Sequence, residues 1–536
     1  MNKSFDFLSA IEACGLMDLG YSGHHFTWCN QRATEARVWK RLDRAMTKDK
    51  WLEHMAQTTI THLPAVGSNH SPLLMENVGR EGQQTKYFKF LHCWVENENF
   101  MHTVKECWER EVQGNPMWKL HQKMKRLAST LSEWSRREFG DIFAVVKEFE
   151  EQVRQAEEQG DENIAKAACV YFQETFTGHE NRNAENILQC ITRMVTEEQN
   201  QNLKALPTKE ESKQVVYSMN PNSAPGPDGF GGMFYQACWD IIQDELLEAV
   251  LAYFSGHIMP KFMSHSCLVV LPKVEHPNRF NEFRPISLTN FTSKIISKIL
   301  CLRLAPILPH LISENQSGFV RGRSITDNIM LAQEIIHNIK KPKEGDNVVI
   351  KLDMAKAYDS VSWSFTCLVL SAMGFGEVFI DLVWRTMSNN WYSVIVNGTR
   401  HGFFHSTRGL KQGDPLSPAL FILRVEVLSR MLNLLHHDPN YKGFQMEIRG
   451  PQINHLCFAD YVIIFTSGTR TSLQLIMKTL GTYEAVSDQL INKSKSHFMI
   501  PANTPQDIIS IIQEITGFSQ KTSPISYLGC PLYIGG

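Results

Sequence analysis

Several features are missing from this 536-residue chain, and each absence narrows what it can be. No stretch approaches the ~18 consecutive apolar residues that a membrane-spanning helix needs, so no membrane partner is expected. Residues Met1 to Ala10 lack a basic stretch followed by an apolar one and are not read as a secretory signal. The 12 cysteines, scattered from Cys14 to Cys530, form no C-x-x-C pair and have no metal-ligand spacing with histidine. Reduced, mostly buried thiols in an intracellular protein are expected, rather than a disulfide framework or a zinc site. Excess charge of one sign is missing too: 54 Lys and Arg face 56 Asp and Glu, a formal net charge of −2. Strong nucleic-acid binders often carry a basic excess. Its absence weighs against tight non-specific binding but leaves room for a local basic groove, because a total hides its distribution. No internal repeat or low-complexity tract is visible.

What is present is ordinary globular material, 43% hydrophobic and 21% charged, with enough chain for several domains. Texture divides it in three. Residues 1–77 hold short apolar segments with glycines and aromatics, as in Gly20–Trp28, and close on the polar run Gly67–Leu73. They read as the tail of a mixed α/β domain. Residues 78–199 are rich in Glu, Lys, Arg and Gln, and Phe143–Gln159 has apolar residues at helical spacing. That predicts a helical, solvated linker, with a nucleic-acid-contacting arm as the functional alternative. Residues 200–536 carry the chemistry.

In that third part, Asn222–Gly229 is a Pro- and Gly-rich turn. Val348–Leu352 is a strand candidate that delivers Asp353 at its end. Val394–Val396 is another, closed by the hairpin dipeptide Asn397-Gly398. Ser417-Pro418 fits an N-cap followed by proline at the first helical position, opening a helix that runs to about Leu435. Arg424 falls on the apolar stripe of that helix (Phe421, Leu428, Met431, Leu435). Either it snorkels to water or the helix packs badly; a template-contacting arginine is the functional option. Leu456–Phe465 predicts a second hairpin, interrupted by Asp460. Asp353 and Asp460 thus sit beside apolar strands, where a carboxylate is costly to bury unless paired or metal-bound. Converging carboxylates can hold two divalent cations for nucleotidyl transfer. Sequence spacing alone does not show that the two meet, and ordinary strand-end or turn aspartates remain the plain alternative.

Nine segments, in order, resemble the motifs of a reverse transcriptase from a plant LINE-type (non-LTR) retrotransposon: Asn222–Phe230, Val269–Lys273, Phe283–Leu288, Ile312–Asn328, Lys351–Trp363, Gly409–Pro418, Phe458–Tyr461, Ile491–Ser496 and Tyr527–Leu532. Each is weak alone; the ordered set is specific. The resemblance implies an α+β, right-hand polymerase core of fingers and palm across residues 200–536. It implies a two-metal Mg²⁺ site, an RNA template, a DNA primer and deoxynucleoside triphosphates. Asp353 and Asp460 would be the metal ligands, with Lys495 a cation or general acid near the leaving pyrophosphate. Lys273 and Arg284 would hold the triphosphate, as a point charge and a fork of donors. Tyr358 would lie against the sugar, its bulk disfavouring the 2′-hydroxyl that marks RNA. Gln412 and Gly413 would lie where template base and incoming nucleotide meet.

Departures from the family pattern matter as much. Active members read Phe-Ala-Asp-Asp in the hairpin; here the run is Phe458-Ala459-Asp460-Tyr461. A neutral phenol (pKa ~10) supplies no carboxylate near pH 7, so an impaired polymerase is expected. The alternatives are a non-catalytic nucleic-acid-binding remnant, or a gene-model product without stable function. Nearer the start, Phe26-Thr27-Trp28, Arg41–Arg44 and Ser68–Leu73 resemble the end of an apurinic-type endonuclease/exonuclease/phosphatase domain. Asp43 and His70 match its orienting aspartate and phosphate-contacting histidine, while Asn69 stands where that family has an acid. With the earlier part of such a domain missing, no endonuclease activity is expected. The chain is also expected to stop before the polymerase thumb, which would loosen a grip made largely of phosphate contacts. A nuclear location follows only from the resemblance.

Overall fold

The computed structural model describes residues 17–18, 22–23, 26–30, 37–47, 58–63, 65, 68–77, 87–112, 114–139, 163–178, 184–340, 346–446 and 452–534. The Phe143–Gln159 helix expected from spacing lies outside them. The chain divides into two units, Met1–Lys86 and Tyr87–Gly536. In the first, Thr58–His62 pairs antiparallel with Leu73–Asn77 and parallel with Ser22–Gly23. Trp28–Cys29 pairs with Trp39–Lys40, and a bridge joins Trp28 to His70.

Among the described residues of the second unit, nine strands build two larger sheets beside the short pair Ile525–Tyr527 and Cys530–Leu532. The nine are β1 His265–Pro272, β2 Phe283–Thr289, β3 Asn347–Asp353, β4 Trp391–Val396, β5 Thr399–His405, β6 His455–Phe458, β7 Tyr461–Ser467, β8 His497–Met499 and β9 Ser519–Gln520. One sheet has the order β5-β4-β1-β2, the other β6-β7-β3-β8-β9. Val348, Val349, Ile350 and Leu352 on β3 are fully buried, as are Val462, Ile463, Ile464 and Phe465 on β7. Both strands are covered on both faces, which is why they read as unbroken apolar runs rather than alternating ones. The β4–β5 turn holds Asn397 at φ 46° and Gly398 at φ 79°, the paired left-handed conformation that this dipeptide favours.

The described residues from 87 to 199, within the segment expected to be a helical, solvated linker, belong to this second unit. Helix α1, Pro116–Phe139, buries Met117, Leu120, Met124, Leu127, Leu131 and Trp134 along one side. It lies on α2, Trp239–Phe254. Trp134 meets Trp94 and Phe100 at ring-centroid distances of 6.0 Å, and Phe90 meets Phe234 at 5.5 Å. The charged residues that dominate the composition occupy the other face, as in any amphipathic helix. No described helix is long and apolar enough to cross a membrane.

Helix α3, Ser417–Leu434, departs from expectation in two ways. Its N-cap is Leu416, and Pro418 is the second helical residue. The capping oxygen comes from Asp414, whose carboxylate accepts from the Leu416 amide at 3.0 Å. Secondly, α3 has no solvated face along most of its length: thirteen of its residues are buried, Arg424 and Glu426 among them. A helix apolar all round belongs in a core, so Arg424 has no route to water and reaches no template. Its Nη2 donates to the Ser487 carbonyl at 2.7 Å, and its guanidinium lies 5.5 Å from the Phe365 ring. Nε and Nη1 have no hydrogen-bond partner, and burial holds the group below its usual pKa. Glu426, two residues on, is satisfied: it accepts from Arg430 at 2.7 Å and from the Ser313 amide and hydroxyl at 3.0 and 2.9 Å.

Orphaned buried donors cost about 1–3 kcal/mol each, and apolar replacement of buried charge is often stabilising. Arg424→Met is therefore expected to stabilise the fold by about 1–3 kcal/mol, read as a raised urea midpoint at unchanged m-value. A lowered midpoint would show that the arginine is the better fit.

Candidate active site

The register between β3 and β7 sets the site. Asp353 stands directly opposite Tyr461, and Tyr461 pairs with Phe458 across the two-residue turn Ala459-Asp460. Asp460 therefore sits at the hairpin tip beside the end of β3. The two carboxylates feel one another. Burial raises the Asp460 pKa, the charge on Asp353 raises it further, and Arg284 opposes both. Burial and the two aspartates also raise the Tyr461 phenol, so it is neutral at pH 7. Tyr461 is 41% exposed, unlike the fully buried residues that follow it on β7. Among the described residues, no group of three or more His, Cys, Asp or Glu is arranged to hold a metal ion. Asp353 also anchors the segment that carries Lys495. Its amide donates to Ser496 Oγ at 3.1 Å and its carbonyl accepts from Asn492 at 2.8 Å.

The cations come from the other sheet. Leu271 pairs with Arg284 and Pro272 with Phe283, so Lys273, just past β1, and Arg284 share one end of the β1–β2 pair. The charges of Asp359, Lys495, Arg284 and Lys356 all bear on Lys273, whose pKa burial lowers. Its Nζ donates to the Asn281 carbonyl at 3.0 Å. Arg284 acts in turn on both Asp460 and Tyr461. Tyr358 stacks on Phe421 with ring centroids 5.1 Å apart and planes 14° from parallel, a fixed platform whose phenol also feels Asp460. The Gln412 carbonyl accepts from the Ser287 amide on β2 at 2.9 Å, and Gly413 follows at φ 103°, a conformation that favours glycine. Asp353, Asp460, Tyr358, Lys273, Arg284 and Lys495, far apart in sequence, thus act on one electrostatic neighbourhood, and Gln412 and Gly413 adjoin its β2 side.

Residues 272–532 match the family model described as reverse transcriptase (RNA-dependent DNA polymerase). Over 342 residues the chain is 26% identical to the transposon TX1 uncharacterized 149 kDa protein of Xenopus laevis, covering 63% of this chain and 25% of that one. Over 270 residues it is 29% identical to the retrovirus-related Pol polyprotein from type-2 retrotransposable element R2DM of Drosophila melanogaster, covering 50% and 24%. The chain carries a reverse transcriptase domain of the non-LTR retrotransposon type. It spans about a quarter of the length of those two relatives. A shorter match, 47% identical over 66 residues, covers 12% of this chain and 54% of an uncharacterized mitochondrial protein of Arabidopsis thaliana.

Within the reverse transcriptase domain, sequence reasoning missed what holds the hairpin tip. Ala459 sits at φ 54°, unfavourable for an L residue that is not glycine. Gln316, 1% exposed, grips it: Oε1 accepts from the Ala459 amide at 2.9 Å and the Gly318 amide at 2.8 Å. A Cβ on Gly318 would lie 2.5 Å from the Ala459 nitrogen, so only glycine allows this approach. The Gln316–Gly318 run pairs alongside β6 through Ser317 N to Cys457 O at 3.0 Å. Asn328 donates to the same carbonyl at 3.1 Å. These residues were legible only as part of a resembling motif; a buried glutamine beside a glycine has no local signature.

In the first unit, His70 Nδ1 and Asp43 Oδ2 are 2.8 Å apart. Partial burial alone would raise the Asp43 carboxyl; the hydrogen bonds from His70 and Thr27 outweigh it and hold it below the usual range. Thr27 Oγ1 accepts from the Asp43 amide at 2.9 Å, fixing that backbone. The Asn69 carbonyl accepts from the Cys29 amide at 2.9 Å.

Gln316→Leu would strand two inward-facing amides at the tip, each worth about 1–3 kcal/mol. The expected result is a loss of about 2–4 kcal/mol in denaturant unfolding, with faster hydrogen exchange at Ala459. Unchanged exchange there would remove the glutamine's role as the tip's clamp.

Proposed function

We propose that this chain is a fragment of an RNA-directed DNA polymerase from a plant retrotransposon whose catalysis is impaired at one position. The observation that carries the proposal is the pairing of Asp353 with Tyr461, which brings two carboxylates and one phenol to the spot where the resemblance calls for three acids. Domains of this family use divalent metal ions, and we take Mg²⁺ as the ion, with Asp353 and Asp460 as its ligands. A bound ion pair would activate the attacking oxygen and stabilise the leaving one.

The chain's own residues do the rest. Lys273 and Arg284 draw the triphosphate to the end of the β1–β2 pair, and Lys495 offsets charge on departing pyrophosphate. Tyr358, locked by Phe421, restricts the sugar to one lacking a 2′-hydroxyl. Gln412 and Gly413 line the nucleotide side opposite an RNA template paired to a DNA primer. Tyr461 adds bulk without charge. The Asp43–His70 pair supports the first unit as an endonuclease/exonuclease/phosphatase remnant without activity. The Arabidopsis match supports the plant origin, and a nuclear site of action follows from the life cycle of such elements.

The test is Mg²⁺-dependent primer extension on an RNA template. Tyr461→Asp is expected to raise the rate at least ~10²-fold over the unaltered chain, the scale of one preorganised charged group, and Tyr461→Phe to raise it little. Equal extension by all three chains would sink the impairment. Tight, salt-dependent primer–template binding with no extension by any of them would favour a nucleic-acid-binding remnant instead.

A further inference from the structure

One buried carboxylate in the cleft has no part in the chemistry above. Asp359 follows Tyr358 directly and is 7% exposed. Its Oδ1 accepts from the side-chain amide of Gln412, Nε2 to Oδ1 2.9 Å. Among the described residues no lysine or arginine forms an ion pair with it, although Lys356, Lys273 and Arg408 bear on it from a distance and Tyr392 lies within reach of its charge.

The backbones that carry the two side chains are themselves tied together. Leu410 N donates to Tyr358 O and Gly409 N to Val361 O, both at 2.8 Å. A Cβ on Gly409 would lie 2.9 Å from the Asp359 carbonyl oxygen, so glycine permits the close approach. The Gln412 main chain is held from the other side by Ser287. With both backbones fixed, the remaining freedom is the orientation of the Gln412 amide.

Chemistry settles that orientation. An ionised carboxylate has no proton to donate, so the end of the amide that faces Asp359 must be the NH₂ group. We propose that Asp359 is a positioning residue for nucleotide selection: by engaging the donor end of Gln412, it leaves the carbonyl oxygen Oε1 as the end that meets the incoming nucleotide and template base. This rests on the polymerase function proposed above, and it adds a residue and a polarity to it. A fixed acceptor attracts a donor on the nucleotide and repels another acceptor. A free amide could turn to suit either and would discriminate less.

The local electrostatics agree. Burial pushes the Asp359 carboxyl up to about 6, against the opposing pull of the Gln412 hydrogen bond and the nearby cations. The acceptor is thus present at neutral pH. Below about pH 6 the carboxyl gains a proton, can donate to Oε1, and no longer dictates which end faces it.

Two measurements on the whole chain decide this. In the first, glutamine side-chain amides are labelled with ¹⁵N in the unaltered protein and the Gln412 pair is assigned by its loss in Gln412→Leu. That pair is expected to shift as pH falls through about 6, and Asp359→Asn is expected to abolish the titration and move the resonances. In the second, Asp359→Asn is placed in the Tyr461→Asp chain. The nucleotide KM should rise about tenfold, the worth of one hydrogen bond to a charged group, with kcat changed much less and misincorporation increased. A Gln412 signal indifferent to Asp359→Asn overturns the proposal whatever the polymerase does. So does a kcat loss with unchanged KM and fidelity, the mark of general structural damage. If Tyr461→Asp extends no primer at all, the polymerase function fails; the amide signal then still decides whether Asp359 sets the orientation of Gln412.

Discussion

Antiparallel pairing of β3 with β7 runs through seven consecutive residue pairs, from Asn347 opposite Ser467 to Asp353 opposite Tyr461. Everything at the site hangs on that register. A slip of one residue would turn every side chain of one strand to the other face, bringing Lys351 into space that apolar neighbours fill and misfitting the packing on both sides. The cost of such a slip is spread over eight fully buried side chains on the two strands, each close-packed against the face it now meets. Precision at two aspartates is thus secured by hydrophobic residues that do no chemistry. The hairpin tip lies beyond the last pair, where the ladder cannot help. There Gln316 takes over, holding a left-handed alanine that the strands alone would leave to relax.

The same core holds a fault and a correct solution two residues apart. Glu426 and Arg424 both lie within α3 with no path to solvent. Glu426 meets three donors; Arg424 meets one carbonyl and leaves two nitrogens without partners. A fold that carries an unsatisfied guanidinium in its centre must draw its stability from elsewhere. The aromatic packing of residues 90–134 against α2 and its neighbours is one such source. This explains why a segment that reads as polar by composition belongs to the second unit: its charges are counted once per residue, but its burial follows a stripe at three- and four-residue spacing.

Legibility followed the range of the interaction. Strand β3, the Asn397-Gly398 hairpin and the β6–β7 hairpin were visible because each depends on neighbours within a few residues: an apolar run, a dipeptide with left-handed propensity, an interruption at Asp460. The cap of α3 was misread by a short distance, since Ser417 has the right chemistry but Asp414 has the right geometry. Arg424 was visible as an anomaly on an apolar stripe, while its outcome was not, because its burial depends on segments such as those of Phe365 and Ser487, far beyond its own helix. Gln316, Asp359 and the depth of α1 were invisible for the same reason. The meeting of Asp353 with Asp460, Lys273, Arg284 and Lys495 was expected from family resemblance alone; no spacing in the chain encodes it.

On the function proposed above, Tyr461 marks a place where the fold outlasts its chemistry. Asp353 already raises the cost of ionising Asp460 at the tip, and a third carboxylate without bound cations would add to it. A phenol at position 461 adds no such repulsion. Its ring is partly solvent-exposed, so it displaces no core residue, and the backbone pairing at position 461 is made by main-chain atoms that any side chain leaves intact. On the function proposed above, a phenol at position 461 is therefore cheap for folding and expensive for catalysis, the usual direction of the trade between stability and activity. Nothing in the stability of β7 opposes it. On that proposal the forces at the tip favour a neutral side chain at position 461, while the main-chain pairing that carries it stays in register.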